Sequence, residues 1–250
     1  MGQKGMVPAS AAVEQGMAAL RDSAAAMGLA IGERAYSVIE AWFDFYSRWP
    51  GRRVVGLRDP RDIAVKLIAD SFAVSAIVDE IRPGPALDLG SGSGWPGLAV
   101  RLCGRERAVT LLDSRLGACE FMRRFVRQAG LQGVSVLGAR AEEAAKAPGL
   151  ERAMALVTAR AMALPGISLE IASGFLELGG AAILWLGPSQ EGAVDARQDI
   201  PELGLVRTGK HGYQLPFNAG KRILAVYTRT CSPLPGYPRR LSSIRSKPLL

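Results

Sequence analysis

Histidine is almost missing from this chain of 250 residues, where His211 stands alone. Cysteine is scarce as well: Cys103, Cys119 and Cys231 lie far apart, with no Cys-x-x-Cys pair. An odd set of scattered thiols argues against a disulfide framework, and with a single histidine it argues against a zinc site, so no metal is expected. A triad built on a base would have to use His211, which reads as a loop or surface residue beside a strand. No uninterrupted run of 18 apolar residues occurs, so no transmembrane helix is expected. The first residues, MGQKGMVPASAAVEQG, lack the apolar centre of a signal peptide and are poor in arginine, so a cytoplasmic location is expected. Acidic residues are absent from Leu203 to Leu250, a stretch with nine basic ones: Arg207, Lys210, Lys221, Arg222, Arg229, Arg239, Arg240, Arg245 and Lys247. The rest of the chain holds 22 of the 31 basic residues against all 23 acidic ones. The net charge of +8 therefore comes from the last fifth of the chain, and such a patch attracts polyanions, nucleic acid above all.

What is present is an ordinary globular composition, 48% hydrophobic and 22% charged, long enough for one large core. No internal repeat is visible. Residues 1–84 read as a helical region. Its first 28 residues are Ala-rich, and residues 33–48 form an amphipathic helix with Tyr36, Ile39, Phe43 and Tyr46 on one face. A further helix begins at Asp59, with that aspartate as N-cap and Pro60 at the first position, and runs towards Ile81. After Pro85 short apolar runs alternate with helices. Strands are expected at 86–89, 108–112, 134–137, 154–158, 181–186, 203–207 and 222–228. Helices are expected near 96–102, 115–129, 141–146, 165–176 and 190–198. This pattern predicts an α/β fold, a Rossmann-like, mostly parallel sheet over 85–230. The last two strands, joined by a loop around 209–220, should form an antiparallel edge. Residues 231–250 remain as a basic, proline-containing tail.

The chemistry is concentrated in ALDLGSGSGWPGL, residues 86–98. A buried strand runs into a glycine-rich turn, where the backbone can take positive φ and a ligand can approach the main chain. Gly92, Gly94 and Gly97 match the dinucleotide fingerprint, which leaves a nicotinamide or flavin enzyme open. The match is offset, however: Asp88 ends the strand and Gly90 precedes the fingerprint. Asp-x-Gly-x-Gly-x-Gly is the usual first motif of class I methyltransferases, whose loop lies against the amino-acid part of S-adenosylmethionine. Asp113, at the end of the next strand and about 20 residues on, is then the acceptor for ribose hydroxyls.

Together these motifs resemble the RsmG (GidB) family, which methylates N7 of a guanosine in small-subunit (16S) ribosomal RNA. DLGSGSGWPG is similar to that family's glycine loop. RDPRDIAVKLIADSFAV (58–74) resembles its helical segment carrying His-x-x-Asp-Ser, and LLDSRLGACEFMRR (111–124) resembles its second strand and helix. GARAEE (138–143), TARAMA (158–163) and GYPRRLSSIRSKPL (236–249) match its later signatures. The resemblance implies an S-adenosylmethionine pocket formed by Asp88, Gly90, Gly92, Gly94 and Trp95 in the loop region. Asp113 and Ser114 would lie near the ribose, and Ala141 and Glu142 beside the adenine. Arg160 would face the methionine carboxylate or the reaction cleft. It also implies small-subunit ribosomal RNA or the ribosomal subunit as partner. Lys66, Arg239, Arg240, Arg245 and Lys247 would then hold phosphates, which position RNA without reading its sequence. A monomer is expected.

The sequence departs from the family on the acceptor side. Leu67 stands where the family has histidine, Arg53-Val54-Val55 where it has Asn-Leu-Thr, and Leu186-Gly187 where it has Lys-Gly. No catalytic residue is assigned, because N7 carries a lone pair and no proton, so its methylation needs alignment rather than a base. Trp185 is either a stacking platform for a base or a core residue of its strand. The apolar departures keep two other readings open: the same fold acting on a different acceptor, or a non-catalytic RNA-binding assembly factor.

Overall fold

The computed structural model describes residues 9–103 and 106–250; residues 1–8 of the Ala-rich N-terminus lie outside it. The sheet has eight strands: β1 (Ala86–Leu89), β2 (Val109–Asp113), β3 (Val134–Gly138), β4 (Met154–Arg160), β5 (Leu176–Leu186), β6 (Asp199–Ile200), β7 (Leu205–Leu215) and β8 (Gly220–Arg229). Their order is β3-β2-β1-β4-β5-β8-β7-β6. The first five are parallel and β8 runs antiparallel to both β5 and β7, so the expected mixed α/β sheet with an antiparallel edge is present. All four residues of β1 are buried, as a strand covered on both faces requires. The chain leaves β1 towards β2 and β3, then returns to β4 and β5 on the other side. The order of strands therefore reverses between β1 and β4, which opens a crevice at their carboxyl ends.

Two cores lie on the two faces. One joins the N-terminal helices Ala9–Met27 and Glu33–Ser47 to the sheet through Trp42, Phe43, Trp95, Phe121, Phe125 and Trp185. Trp42 stacks on Tyr46 with ring centroids 5.1 Å apart and meets Trp95 and Phe121 edge-on at 6.1 Å, arrangements that add to the burial of the rings. The other core holds Leu169, Phe175, Tyr227 and Ile244, the last from the short C-terminal helix Leu241–Ser246. The helical region before residue 85 and the tail after 230 thus share cores with the sheet.

Several elements differ from the expectation, including β6 and the helix Leu241–Ser246 in a tail whose prolines suggest an extended segment. The segment after Asp59 keeps its N-cap, with the Asp59 carboxylate accepting the Arg61 amide at 2.8 Å, but widens to a π-helical turn at Ala64–Ala69 and tightens to a 3-10 turn at Ala73–Ala76. Strand β5 starts at Leu176 rather than 181, opposite an irregularity in β4 between Met154 and Leu156. The segment 209–220 is mostly strand: β7 continues to Leu215, and only residues 216–219 turn. Lys210, His211 and Gly212 follow one another in β7 and are all exposed, on both faces, which hides the alternation by which a strand is read. His211 is exposed there. Among the described residues no helix is long and apolar enough to cross a membrane, and no cluster of His, Cys, Asp and Glu is placed to hold a metal ion.

Candidate functional site

The loop that leaves β1 is shaped by its glycines. Gly90, Gly92 and Gly94 have φ of 66°, 58° and 101°, a region that side chains rarely tolerate. At Gly97 the reason is space: a Cβ would run into the Leu111 side chain and stand 2.8 Å from Asp88 Cβ, so the helix Gly97–Leu102 can lie against β1 and β2 only without one. Trp42 donates from Nε1 to the Ser93 carbonyl at 3.0 Å and ties the N-terminal helix to the loop.

Asp88 is fully buried beneath this turn, where Oδ1 accepts the Thr158 hydroxyl at 2.7 Å and Oδ2 makes no hydrogen bond. Burial pushes its carboxyl up to about 6, against the pull of the Thr158 hydroxyl. It lines neither of the two cavities beside the loop, and neither does Gly94, whose Cβ would press on Leu98 at 2.8 Å. In this geometry both residues support the turn.

On one side of Gly90 a cavity of about 210 Å³ brings together Asp113, Ser114, Ala141 and Glu142, against a wall of Met162 and Ile167. Asp113 Oδ2 accepts the Gly92 amide at 2.9 Å, and Oδ1 accepts the Arg115 amide at 2.8 Å. The Arg115 guanidinium covers the same carboxylate at 3.2 Å. Burial alone would raise the Asp113 carboxyl, but Arg115 and the two amides outweigh it and hold it below the usual carboxylate range.

On the other side a cleft of about 560 Å³ is bounded by Gly90–Ser93 and Trp95, by Arg160 and Ala161 at the end of β4, and by Leu67 and Leu186. Val54, Lys66, Gly187 and Arg222 also face it. Arg160 braces this cleft: its Nη1 donates to the Leu67 carbonyl at 2.7 Å and to Ser71 Oγ at 2.9 Å, and lies 3.4 Å from Asp70 Oδ2, while Nη2 reaches the Trp95 carbonyl at 3.4 Å. The π-helical turn presents the Leu67 carbonyl, and the short helix Asp70–Phe72 that follows it presents Asp70 and Ser71; π-helical turns recur at functional sites. Asp70 is buried and receives the Tyr213 hydroxyl on Oδ1 at 2.6 Å; burial raises its carboxyl despite Arg160. The Tyr213 hydroxyl is in turn pushed upward, first by burial and then by Asp70. Sequence reasoning passed over Asp70 and Tyr213, and it named Arg222 only as part of the basic stretch; the Asp-Ser pair after Leu67 was the available signal for the first.

Trp185 is a core residue, 4% exposed, with Nε1 donating to the Asp70 carbonyl at 2.8 Å, and it also lines this cleft. Trp95 is 3% exposed, packed against Trp42 and Phe72, and its indole N–H has no partner. Lys66 faces the cleft and pairs with Asp62 at 2.8 Å. Alanine at 161 has φ of 50°, a strained position at the cleft wall. A cavity of about 720 Å³ between the first helix and residues 217–219 shares Lys66 but no residue of the glycine loop.

The tail does not behave as one basic arm. Arg239 is committed to the fully buried Glu170, with its amide and Nε on Oε1 at 2.8 Å and Nη2 on Oε2 at 2.6 Å. A side chain that compensates a buried carboxylate has less charge left to offer a phosphate than a free one. Arg245 lines the smaller cavity together with Leu241. Arg240 and Lys247 are exposed and face neither cavity beside the loop.

A family model described as GidB, rRNA small subunit methyltransferase G, matches residues 47–203. The ribosomal RNA small subunit methyltransferase G of Carboxydothermus hydrogenoformans is 32% identical over 189 residues, covering 75% of this chain and 80% of that one. The same-named protein of Pelotomaculum thermopropionicum is 27% identical and covers 92% of this chain and 97% of its own. Among solved structures, one described for the conversion of a disulfide bond into a thioacetal group during echinomycin biosynthesis superposes with a TM-score of 0.50 at 19% identity, covering 74% of this chain and 91% of that one. That likeness concerns the fold alone.

Proposed function

Because this chain belongs to the rRNA small subunit methyltransferase G family, we propose that it transfers the methyl group of S-adenosylmethionine to N7 of a guanosine in small-subunit (16S) ribosomal RNA. The observation that carries the reading is the pair of cavities meeting at Gly90, at the carboxyl ends of β1 and β4. The smaller suits a nucleoside: Asp113 offers an ionised acceptor for a diol, and Ser114, Ala141 and Glu142 stand beside it. The residues fit in one further respect. A Cβ at Gly90 would stand 3.1 Å from Met162 Cγ, so the main chain there can lie close to a ligand only as glycine. The Arg115 guanidinium, on a side chain 61% exposed, gives way to the ribose hydroxyls when the pocket fills.

When bound, S-adenosylmethionine supplies an electrophilic methyl on a sulfonium. The chain's own part is alignment. Arg160 locks the Leu67 turn to the Trp95 carbonyl, so the cleft floor is rigid. Leu67 and Leu186 exclude water and hold the base by its apolar faces. Neither offers a proton acceptor, and N7 needs none, since its in-plane lone pair attacks directly. Arg222 faces the same cleft without an ion pair among the described residues and suits the phosphates of the acceptor, and Lys66, paired with Asp62, lies beside it.

The test is methyl transfer from labelled S-adenosylmethionine to small ribosomal subunits that lack the modification, followed by mapping of the labelled nucleoside. Label in 7-methylguanosine is expected. Leu67 and Leu186 in the cleft favour a second reading, a different acceptor on the same cofactor. Label in another nucleoside, or cofactor binding without transfer to subunits, would establish that reading instead.

A further inference from the structure

The C-terminal segment holds its short helix over the smaller cavity by several independent anchors. Arg239 clamps the buried Glu170, and Ile244 is 1% exposed in the second core. The Arg239 guanidinium also holds the Lys247 carbonyl at 3.0 Å, and Arg197 holds the Leu249 carbonyl at 3.3 Å. Gly166 is where the strap crosses the fold: a Cβ there would stand 2.6 Å from the Leu250 nitrogen. Within the helix Leu241–Ser246, Leu241 and Arg245 are four residues apart and share a face, and both line the cavity that contains Asp113, Ala141 and Glu142. Arg245 is exposed and makes no ion pair among the described residues.

We propose that this tail is a wall of the cofactor's nucleoside pocket, with Leu241 packing on the adenosine moiety and Arg245 a specificity-determining contact to it. The inference rests on the reading of that cavity as the adenosine site. The loops that follow β1, β2, β3 and β4, with the helix Pro165–Ser173, line the rest of the cavity, and the strap adds Leu241 and Arg245 to it. A guanidinium suits this place: its plane stacks on an aromatic base, and its donors meet the ring nitrogens and ribose oxygens of an adenine nucleoside. The tail then works as two surfaces. Leu241 and Arg245 face the cofactor, while Arg240 and Lys247 remain on the outside for phosphates.

Isothermal titration of the full chain with S-adenosylhomocysteine tests this. Arg245→Ala is expected to raise Kd by about five- to tenfold, the loss of one or two modest contacts, and Leu241→Ala by a similar factor. In methyl transfer the KM for S-adenosylmethionine should rise with them, while the KM for ribosomal subunits and its salt dependence stay as in the parent. The double variant Arg240→Ala/Lys247→Ala should show the reverse, with S-adenosylhomocysteine affinity unchanged. An Arg245→Ala protein whose Kd stays within twofold of the parent, or whose subunit KM rises instead, would overturn the proposal and return the whole tail to RNA binding. A parent chain that binds no S-adenosylhomocysteine would overturn the adenosine reading of the cavity and this proposal with it.

Discussion

Asp88 lies fully buried under the glycine loop, where its carboxylate accepts the Thr158 hydroxyl. Its carboxyl sits near 6 when folded against an ordinary 3.8, because burial disfavours the charge. The folded state therefore binds the proton more tightly than the unfolded chain. Stability from this group is present below the ordinary carboxylate value and is lost as pH rises through about 6. The difference amounts to about 3 kcal/mol, two pH units at about 1.4 kcal/mol each. Asp88→Asn keeps an acceptor for Thr158 and removes the charge. Urea unfolding from pH 4 to 8 should show it gaining on the parent as pH rises, with the gain level above pH 7; a constant difference across the range would refute the account. Trp95 offers a second residue-scale test. Its buried indole N–H lacks a partner, which costs about 1–3 kcal/mol. Trp95→Phe should accordingly lose little stability despite the smaller ring, whereas Trp95→Ala should lose about 3–5 kcal/mol by opening a cavity beside Trp42 and Phe72. Thermal melts of the two variants separate these outcomes.

At the scale of elements, the β7–β8 hairpin turns through Phe217 and Asn218 at φ of 55° and 56°, with the Ala219 amide on the Pro216 carbonyl at 3.1 Å. That is a type I′ turn, which favours Asn-Gly, and a phenylalanine 65% exposed is a poor occupant. Replacing the pair by Asn-Gly should stabilise by about 1 kcal/mol and raise Tm by about 2–4 °C. An unchanged or lower Tm would mean that Phe217 makes contacts worth its backbone cost. The tail predicts the opposite sign. Arg239→Ala leaves Glu170 charged and buried, so a loss of about 3–5 kcal/mol is expected in denaturant unfolding, and Arg239→Ala/Glu170→Leu should recover much of it. These two elements also mark where the sequence was hard to read. The hairpin lacked both a turn dipeptide of the usual kind and an alternating face. The Glu170–Arg239 pair joins residues 69 apart, and nothing local in PGISLEIAS announces that its glutamate is buried. The glycine loop, β1, β2 and Asp113 were legible because each follows from a short-range rule: a strand's apolar run, a turn that needs positive φ, an acid at a strand end. The π-helical turn that presents the Leu67 carbonyl to Arg160 follows from no such rule, since it depends on what packs against it.

For the whole molecule, part of the basic charge in the last fifth of the chain is already paired within the fold. Of the nine basic residues after Leu203, Arg207 and Lys210 pair with Asp195, Lys210 also with Glu191, and Arg239 with Glu170. Arg229 is buried and donates to the Leu176 and Cys231 carbonyls. Lys221, Arg222, Arg240, Arg245 and Lys247 make no ion pair among the described residues. A count of basic residues in a sequence is therefore not a count of phosphate contacts, because an acidic residue brought in from Glu170 or Asp195 neutralises them only after folding. The salt dependence of RNA affinity measures the difference. Each phosphate contact to a single strand contributes about 0.7 to the slope of log affinity against log salt. Lys221→Ala/Arg222→Ala and Arg240→Ala/Lys247→Ala should each flatten that slope by about 1.4 if both members of the pair touch phosphate. Arg207→Ala/Lys210→Ala should leave it unchanged, since those charges are already spent on Asp195 and Glu191. A slope that falls equally for all three pairs would show that the patch acts as diffuse charge, and that the ion pairs within the fold open when RNA binds.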